Sequence, residues 1–332
     1  MRSNNVLIYI ITMFTLLFIS VDVHAQTTDE PVYHTVGINE TLESIADNYD
    51  VSTKQIMAWN NLESEELVQG QYLEILSPGL YGRDDLIHDE LQEVLEQYSG
   101  YPVYIYVESL ENDKRSASIE GTTFVYGASV PKIVLAAFVL HQVDEGVLSW
   151  DDTYMYDDLI YEQPLSYAWG GSGIMQYESY RINEYTLEEL TEMTLKNSDN
   201  MASNMLLYYV GHAYEEAFAE FTRDVYQASS FQLQITAKQM SKVMRYIYEH
   251  EDDSVKEMMA TTDYDEQKLD VVADDTYQKI GGTNQVNHST AIVEGDHDYV
   301  ITVLTSIAGD DTISNIARDV NEVLSQDQNS KR

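Results

Sequence analysis

The 332-residue chain contains no cysteine. Disulfides, thiolate-bound metals and a lipid anchor attached through cysteine are thereby excluded. Basic residues are scarce as well: 18 Lys and Arg stand against 57 Asp and Glu, a formal net charge of −39. A nucleic-acid binder needs a basic face to displace counterions from phosphates, so no nucleic-acid partner is expected. Self-repulsion of this size destabilises a compact chain at low ionic strength and is screened to about 3 Å near 1 M salt, which suits a salt-adapted source. Disorder is the rival account of the acidity, but 44% hydrophobic residues and clear periodic elements speak against it. The eight histidines, His141, His288 and His297 among them, show no paired ligand spacing, so no metal site is expected, and no cofactor is implied. No internal repeat is present, and no heptad or apolar stripe demands an oligomer, so a monomer is the default.

Arg2 precedes an apolar stretch from Val6 to Val21, and Val23-His24-Ala25 before Gln26 puts small residues where a signal peptidase reads. Residues 1–25 therefore read as a signal peptide and the protein as secreted. A retained membrane anchor is the alternative, since the stretch is near the lower length limit of a spanning helix.

Residues 32–76 form a separate unit. Val32 to Val36 reads as a strand, Thr41 to Tyr49 as a short amphipathic helix, Ser52 to Asn60 as a second helix behind a serine cap, and Leu67 to Ile75 as a closing strand. With Ile56, Trp59-Asn60-Asn61-Leu62 and Gly70-Gln71-Tyr72-Leu73, this βααβ order resembles a LysM module, with Asn39-Glu40-Thr41 where the module usually has Gly-Asp-Thr. The resemblance implies binding to peptidoglycan through its N-acetylglucosamine-containing glycan, and hence a cell-wall association. Ile45, Ile56 and Leu73 are assigned to packing, because so small a core needs its large apolar residues. Residues 77–84, with Ser77-Pro78-Gly79, read as a linker, and residues 85–328 as a domain large enough for a substantial core.

In that domain a hydroxyl and an amine stand three residues apart in Ser129-Val130-Pro131-Lys132, ahead of the apolar run Ile133 to Leu140. On a buried helix with the serine in its first turn, the two side chains share a face, and burial makes a neutral lysine available to take the serine proton. Standing alone, Ser129 would read first as an ordinary helix N-cap before a proline. Ser198-Asp199-Asn200 falls between a helix opened by the capping box Thr186-Leu187-Glu188-Glu189 and an apolar run from Met201 to Val210 that Gly211 closes. A loop serine there can pass a proton to a leaving group, and the Asn200 amide can fix substrate or Lys132. Alone, the triplet is a polar turn. Lys279-Ile280-Gly281 opens strand-rich sequence, with further strands at His288 to Glu294 and Tyr299 to Ser306 joined through Gly295-Asp296-His297. Lys279 would supply charge for a substrate carboxylate, and the Gly282 N–H would complete an oxyanion hole with that of Ser129. Lys279 as a strand-edge lysine that discourages aggregation is the plain alternative.

In this order and separation the three strings, with Gly171-Ser172-Gly173-Ile174-Met175 and Met201-Ala202-Ser203-Asn204-Met205-Leu206 around them, resemble the class A β-lactamase-related serine hydrolases, relatives of the penicillin-binding proteins. The resemblance implies an α+β domain: an antiparallel sheet flanked by helices with a helical subdomain inserted. It also implies Ser129 as nucleophile, Lys132 as general base, Ser198 as proton shuttle, Asn200 as positioning residue and Lys279 as carboxylate anchor, acting on a β-lactam or a D-alanyl-peptide-like substrate. Two departures stand out. Between His212 and Ile235 no Glu-x-x-x-Asn string supplies the deacylation carboxylate of true class A β-lactamases; Glu220 and Asp224 have only the spacing, and a solvated helix face is the expected role of both. Ile280 stands where a carboxylate-gripping member has Thr or Ser, with Thr283 the nearest hydroxyl beyond it. The expectation is acylation without efficient release of β-lactams; a wall-binding scaffold or penicillin sensor with little turnover is the alternative.

Overall fold

The computed structural model describes residues 32–37, 40–49, 53, 56–57, 60, 62, 64–68, 70–75, 89–110, 116–272, 275–295 and 297–330. The expected signal peptide, the linker and most of the second helix of the small unit lie outside the described residues. Among the described residues no helix is long and apolar enough to cross a membrane.

In the small unit, β1 (Val32–Thr35) pairs antiparallel with β2 (Tyr72–Ile75), His34 opposite Leu73, and α1 (Leu42–Tyr49) packs on the pair. Thr41 and Ser44 exchange side-chain bonds to each other's backbone N–H, which caps α1. Ile45, Ile56 and Leu73 are fully buried with Val36, Leu42, Ala46 and Ile75, as their packing role requires. Glu40 takes over turn chemistry before the helix: its carboxylate accepts from the Gly37 N–H at 2.6 Å and from the His34 ring at 2.8 Å.

The large unit is one five-stranded antiparallel sheet with helices on both faces. It starts with α2 (Asp89–Glu96), β3 (Val103–Ser109), β4 (Ser116–Ile119), the short β5 (Val125–Tyr126) and α3 (Lys132–Asp144). A helical subdomain follows: β6 (Thr153–Met155), β7 (Glu184–Thr186), α4 (Leu187–Lys196), α5 (Asn200–Leu206), α6 (Glu215–Tyr226), β8 (Gln234–Ile235), α7 (Ala237–Glu249) and α8 (Ser254–Met258). The chain then returns to the sheet as β9 (Asp275–Gly282), β10 (Val286–Glu294) and β11 (Tyr299–Ser306), and ends in α9 (Asp310–Ser330). Strand order is β4-β3-β11-β10-β9.

Period-two alternation assigns each strand residue to one of two cores. Val103, Ile105 and Val107 of β3, with Ile301 and Val303 of β11, meet Leu91 and Leu95 of α2 and Ile313, Ile316 and Val320 of α9. Tyr106, Val300 and Leu304, on the opposite face, meet α3 and α7. Helix α3 is buried from Lys132 through Leu140 because elements enclose it on every side, which is why its sequence has no polar face.

Two local expectations are corrected. The α-helix begins at Lys132, so Ser129 lies in the turn before it. Gly211 does not close a helix: after α5 the chain continues as a π-helical turn, Leu207–His212, and Gly211 is buried where a side chain would press on Leu207 and Phe218. Its role is close packing.

Candidate active site

The nucleophile turn is built from successive i→i+3 bonds: Val130 N–H to Gly127 O (3.0 Å), Lys132 N–H to Ser129 O (3.3 Å), Ile133 N–H to Val130 O (3.1 Å) and Val134 N–H to Pro131 O (3.0 Å). In this tighter helix, side chains three apart eclipse, so Ser129 and Lys132 stand on one side. Ala128, immediately before, is held at φ +49°, a left-handed conformation costly for a residue with a Cβ. The Ser129 hydroxyl is partly exposed and has no hydrogen-bond partner among the described residues.

Lys132 is completely buried. Its Nζ donates to Ser198 O at 2.6 Å and to Asn200 Oδ1 at 2.7 Å, and lies 4.5 Å from the centroid of the Tyr167 ring. Burial pulls the ammonium well below its ordinary pKa, the nearby Lys279 charge adds to this, and Asp199 opposes it. A neutral amine beside Ser129 is what deprotonation of the hydroxyl requires.

Ser198 adopts φ +52°, again left-handed, and this turns its carbonyl and hydroxyl toward two different lysines. The buried carboxylate of Asp199 holds the loop: Oδ1 accepts from the N–H groups of Met201 (2.8 Å) and Ala202 (3.0 Å) at the start of α5, and Oδ2 from the Met175 N–H (2.8 Å). The facing segment must be glycine-rich. A Cβ on Gly171 would fall 2.0 Å from Asn200 Nδ2, and one on Gly173, itself at φ +118°, 2.2 Å from Asp199 Cγ. Asn200 donates to Ala168 O at 3.0 Å, and Asn204 brackets the backbone of Tyr167 from both sides (2.7 and 2.9 Å).

Lys279 enters from β9, 1% exposed, and donates to Ser198 Oγ at 2.8 Å and to Ile280 O at 3.0 Å. Burial, with a contribution from Lys268, pulls its pKa down to about 7. Lys268 is itself buried and lowered to about 8; its Nζ donates to His288 O at 3.2 Å. His288 is structural: its Nδ1 accepts from the Thr305 N–H (3.0 Å), which leaves Nε2 to donate to Tyr126 O at 2.8 Å and ties β10 to the segment that leads into Ser129.

A Cβ on Gly281 would lie 2.8 Å from Gly127 O and 2.9 Å from the backbone nitrogens of Ser129 and Val130, so β9 runs directly against the nucleophile turn. Gly282, one residue on, is exposed, and a Cβ there would make only ordinary contacts, with Val286 O at 3.6 Å and Asn287 Oδ1 at 3.8 Å. Thr283 belongs to the β9–β10 turn, where its Oγ1 accepts from Gln285 (3.0 Å) and Val286 (3.3 Å).

Hydrogen bonds thus join Lys132, Ser198, Asn200 and Lys279, and backbone packing brings Gly281 to Ser129, with Gly282 next to it in the chain. Glu220 and Asp224 stand apart: both are exposed on α6 and border a surface hollow with His141 and Glu145, at the far end of α3 from Lys132. Sequence reasoning missed Tyr167, Asp199 as the loop's anchor, and the contact of Gly281 with the nucleophile turn. The glycines and the aspartate sat inside motifs already singled out. Tyr167, one of 26 tyrosines, carried no signal.

The sequence pattern of the Beta-lactamase enzyme family matches residues 86–324, and that of the LysM domain residues 34–75. Among solved structures the chain is similar to PBP-A, at 18% identity and a TM-score of 0.61 over 74% of this chain and 99% of that one. A PBP-A mutant in an acyl-enzyme complex with penicillin-G gives the same values. A β-lactamase from Sphaerobacter thermophilus gives 18% identity and a TM-score of 0.55 over 72% of this chain and 95% of that one. An ancestral class A β-lactamase gives 20% and 0.56 over 70% and 99%. At these identities the likeness establishes the fold. No curated protein matches the chain.

Proposed function

Because this chain belongs to the Beta-lactamase enzyme family and carries a LysM domain, we propose that it is a secreted, wall-associated serine acyl-transfer enzyme acting on a β-lactam or a D-alanyl-peptide-like substrate. The observation that carries the reading is Ser198 joined to both buried lysines, by its carbonyl to Lys132 and by its hydroxyl to Lys279.

Neutral Lys132 takes the Ser129 proton as Oγ attacks the substrate carbonyl, and the N–H groups of Ser129 and Gly282 receive the developing oxyanion. As the tetrahedral adduct collapses and the carbonyl–nitrogen bond breaks, the Ser198 hydroxyl gives its proton to the leaving nitrogen and is reprotonated by the proton that Lys132 took from Ser129, so Lys132 is neutral again and the acyl group remains on Ser129. Protonated Lys279 holds the substrate carboxylate. Asn200 positions Lys132 and the substrate. The LysM domain keeps this chemistry on peptidoglycan.

Glu220 and Asp224 border a hollow at the other end of α3 and are not placed to activate a deacylating water, which supports slow release and a second reading, a penicillin sensor with little turnover. Labelling with a fluorescent penicillin, parent against Ser129→Ala, tests the first step: a label on the parent alone is expected, and no label on either overturns the penicillin-based reading. Timed mass spectrometry then separates the outcomes, a persistent adduct marking slow release and rapid multiple turnover refuting it.

A further inference from the structure

When Lys132 takes the Ser129 proton it becomes an ammonium ion out of reach of bulk water, and whatever receives that charge decides how good a base the amine is. Two of its N–H groups have oxygen partners, Ser198 O at 2.6 Å and Asn200 Oδ1 at 2.7 Å, both uncharged. From the elements packed round it, the charged groups that act on Nζ are Lys279 of β9, which opposes an ammonium, and Asp199 ahead of α5, which favours one. Asp199 spends its oxygens on the backbone N–H groups of Met201, Ala202 and Met175.

The remaining neighbour is an aromatic face. Nζ stands 4.5 Å from the centroid of the Tyr167 ring. A cation within about 6 Å of a ring centroid is attracted by the ring quadrupole, most strongly where both are desolvated. Both are: Lys132 is completely buried and Tyr167 is 6% exposed. The phenol itself stays neutral, because burial pushes its pKa well above the ordinary value and Tyr126 adds to this, and its hydroxyl has no hydrogen-bond partner among the described residues. The ring is held by its backbone, since the Asn204 side chain accepts from the Tyr167 N–H at 2.7 Å and donates to Tyr167 O at 2.9 Å. A change of side chain at 167 leaves that anchor in place.

We propose that Tyr167 is a positioning residue for acylation: its ring face stabilises the ammonium that Lys132 becomes as the Ser129 O–H bond breaks, a new N–H bond forms at Nζ, and the electron pair left on Oγ attacks the substrate carbonyl carbon. The inference rests on the acyl-transfer reading and deepens it.

The test compares the full chain with Tyr167→Leu, which keeps an apolar neighbour and removes the aromatic face, and with Tyr167→Phe, which keeps the face and removes only the hydroxyl. Without the face the ammonium is less stable, so Lys132 loses its proton at lower pH and is a weaker base. In Tyr167→Leu the acidic limb of the rate of labelling by a fluorescent penicillin should move down by about one pH unit, and the rate above the limb should fall by about 3–10-fold. Tyr167→Phe should keep both. The same midpoint is read without substrate, from the NMR resonance of Lys132 Cε in a pH titration of each chain. Tyr167→Met is the second variant should Tyr167→Leu melt early. A limb and a resonance midpoint that coincide with the parent's in these variants overturn the inference, as does an equal shift in Tyr167→Phe, which would assign the effect to the hydroxyl. Absence of penicillin label on the parent overturns the acyl-transfer reading instead, and the resonance midpoints then decide whether the ring stabilises the ammonium.

Discussion

The hydroxyl of Ser198 accepts a hydrogen bond from Lys279 Nζ at 2.8 Å, while the carbonyl of the same residue accepts from Lys132 at 2.6 Å. A left-handed backbone at φ +52° makes both contacts available at once. The strain of that conformation and the placement of the hydroxyl can be separated by experiment. Ser198→Ala removes the hydroxyl and keeps the strain, so acylation should fall by about 10²-fold or more, the usual worth of a placed proton-transfer group. Ser198→Gly removes the hydroxyl and relieves the strain, and should be more stable than Ser198→Ala by about 1 kcal/mol at equal loss of activity. Labelling rates and thermal melts of the pair decide; equal stability would mean the conformation stores no strain.

Lys279 gives a pH dependence of definite sign. As an anchor for a carboxylate it must be protonated, which it is below its pKa of about 7. Acylation by a carboxylate-bearing β-lactam should therefore decline as pH rises through that value, while a thioester without a carboxylate should not follow. Stability moves the other way. The folded-state value is depressed below the unfolded 10.5, so above pH 7 the unfolded chain binds the extra proton and stability rises with pH up to about 10.5. Lys279→Met abolishes this term. Its stabilising effect should be larger at pH 6 than at pH 9 by about 3 kcal/mol, from roughly two pH units at ~1.36 kcal/mol each. Denaturant titrations at the two pH values check it, and a pH-independent difference would show that Lys279 stays protonated in the folded chain across this range.

Much of this architecture was legible beforehand, and the residues show why. Strand residues such as Ile105 and Tyr106 announce themselves by alternation, because each must face one of two cores. The capping box at Thr186 forms as read, with the Glu189 N–H on Thr186 Oγ1 at 3.1 Å and the Thr186 N–H on the Glu189 carboxylate at 2.8 Å. These are local rules. What stayed hidden depends on distant segments meeting. The ring of Tyr167 reaches Lys132 only because Asn204 pins its backbone, and Gly281 owes its identity to a turn some 150 residues earlier in the chain. The start of α3 was misplaced because Ser and Pro signal a helix N-terminus without distinguishing an α-helical first turn from the 3₁₀ turns found here.

Charge supplies a third prediction. With a net charge of −39, the folded chain should gain stability as salt rises from roughly 10 mM to about 2 M, because the Debye length falls from about 30 Å to under 3 Å. The urea midpoint measured across that range reads the effect. A flat response would mean that the acidic residues are placed too far apart to repel.

The two glycines that end β9 should respond oppositely to the same change. A methyl group on Gly281 would meet Gly127 O at 2.8 Å and the nitrogens of Ser129 and Val130 at 2.9 Å, all backbone atoms that no rotamer change can move aside. Gly281→Ala must push β9 away from the nucleophile turn or distort the turn itself, at an overpacking cost of about 1–3 kcal/mol. Because the N–H groups that would receive an oxyanion lie on the two segments being separated, labelling of Ser129 should fall far more than stability does, by about 10²-fold. On Gly282 the nearest atoms to the same methyl group are Val286 O at 3.6 Å and Asn287 Oδ1 at 3.8 Å, ordinary contacts. Gly282→Ala should keep its melting temperature and label within about twofold of the parent, since the added methyl leaves the backbone N–H in place. Rates of penicillin labelling beside melting curves distinguish the cases: a Gly281→Ala chain that labels normally would separate β9 from the chemistry, whatever its stability.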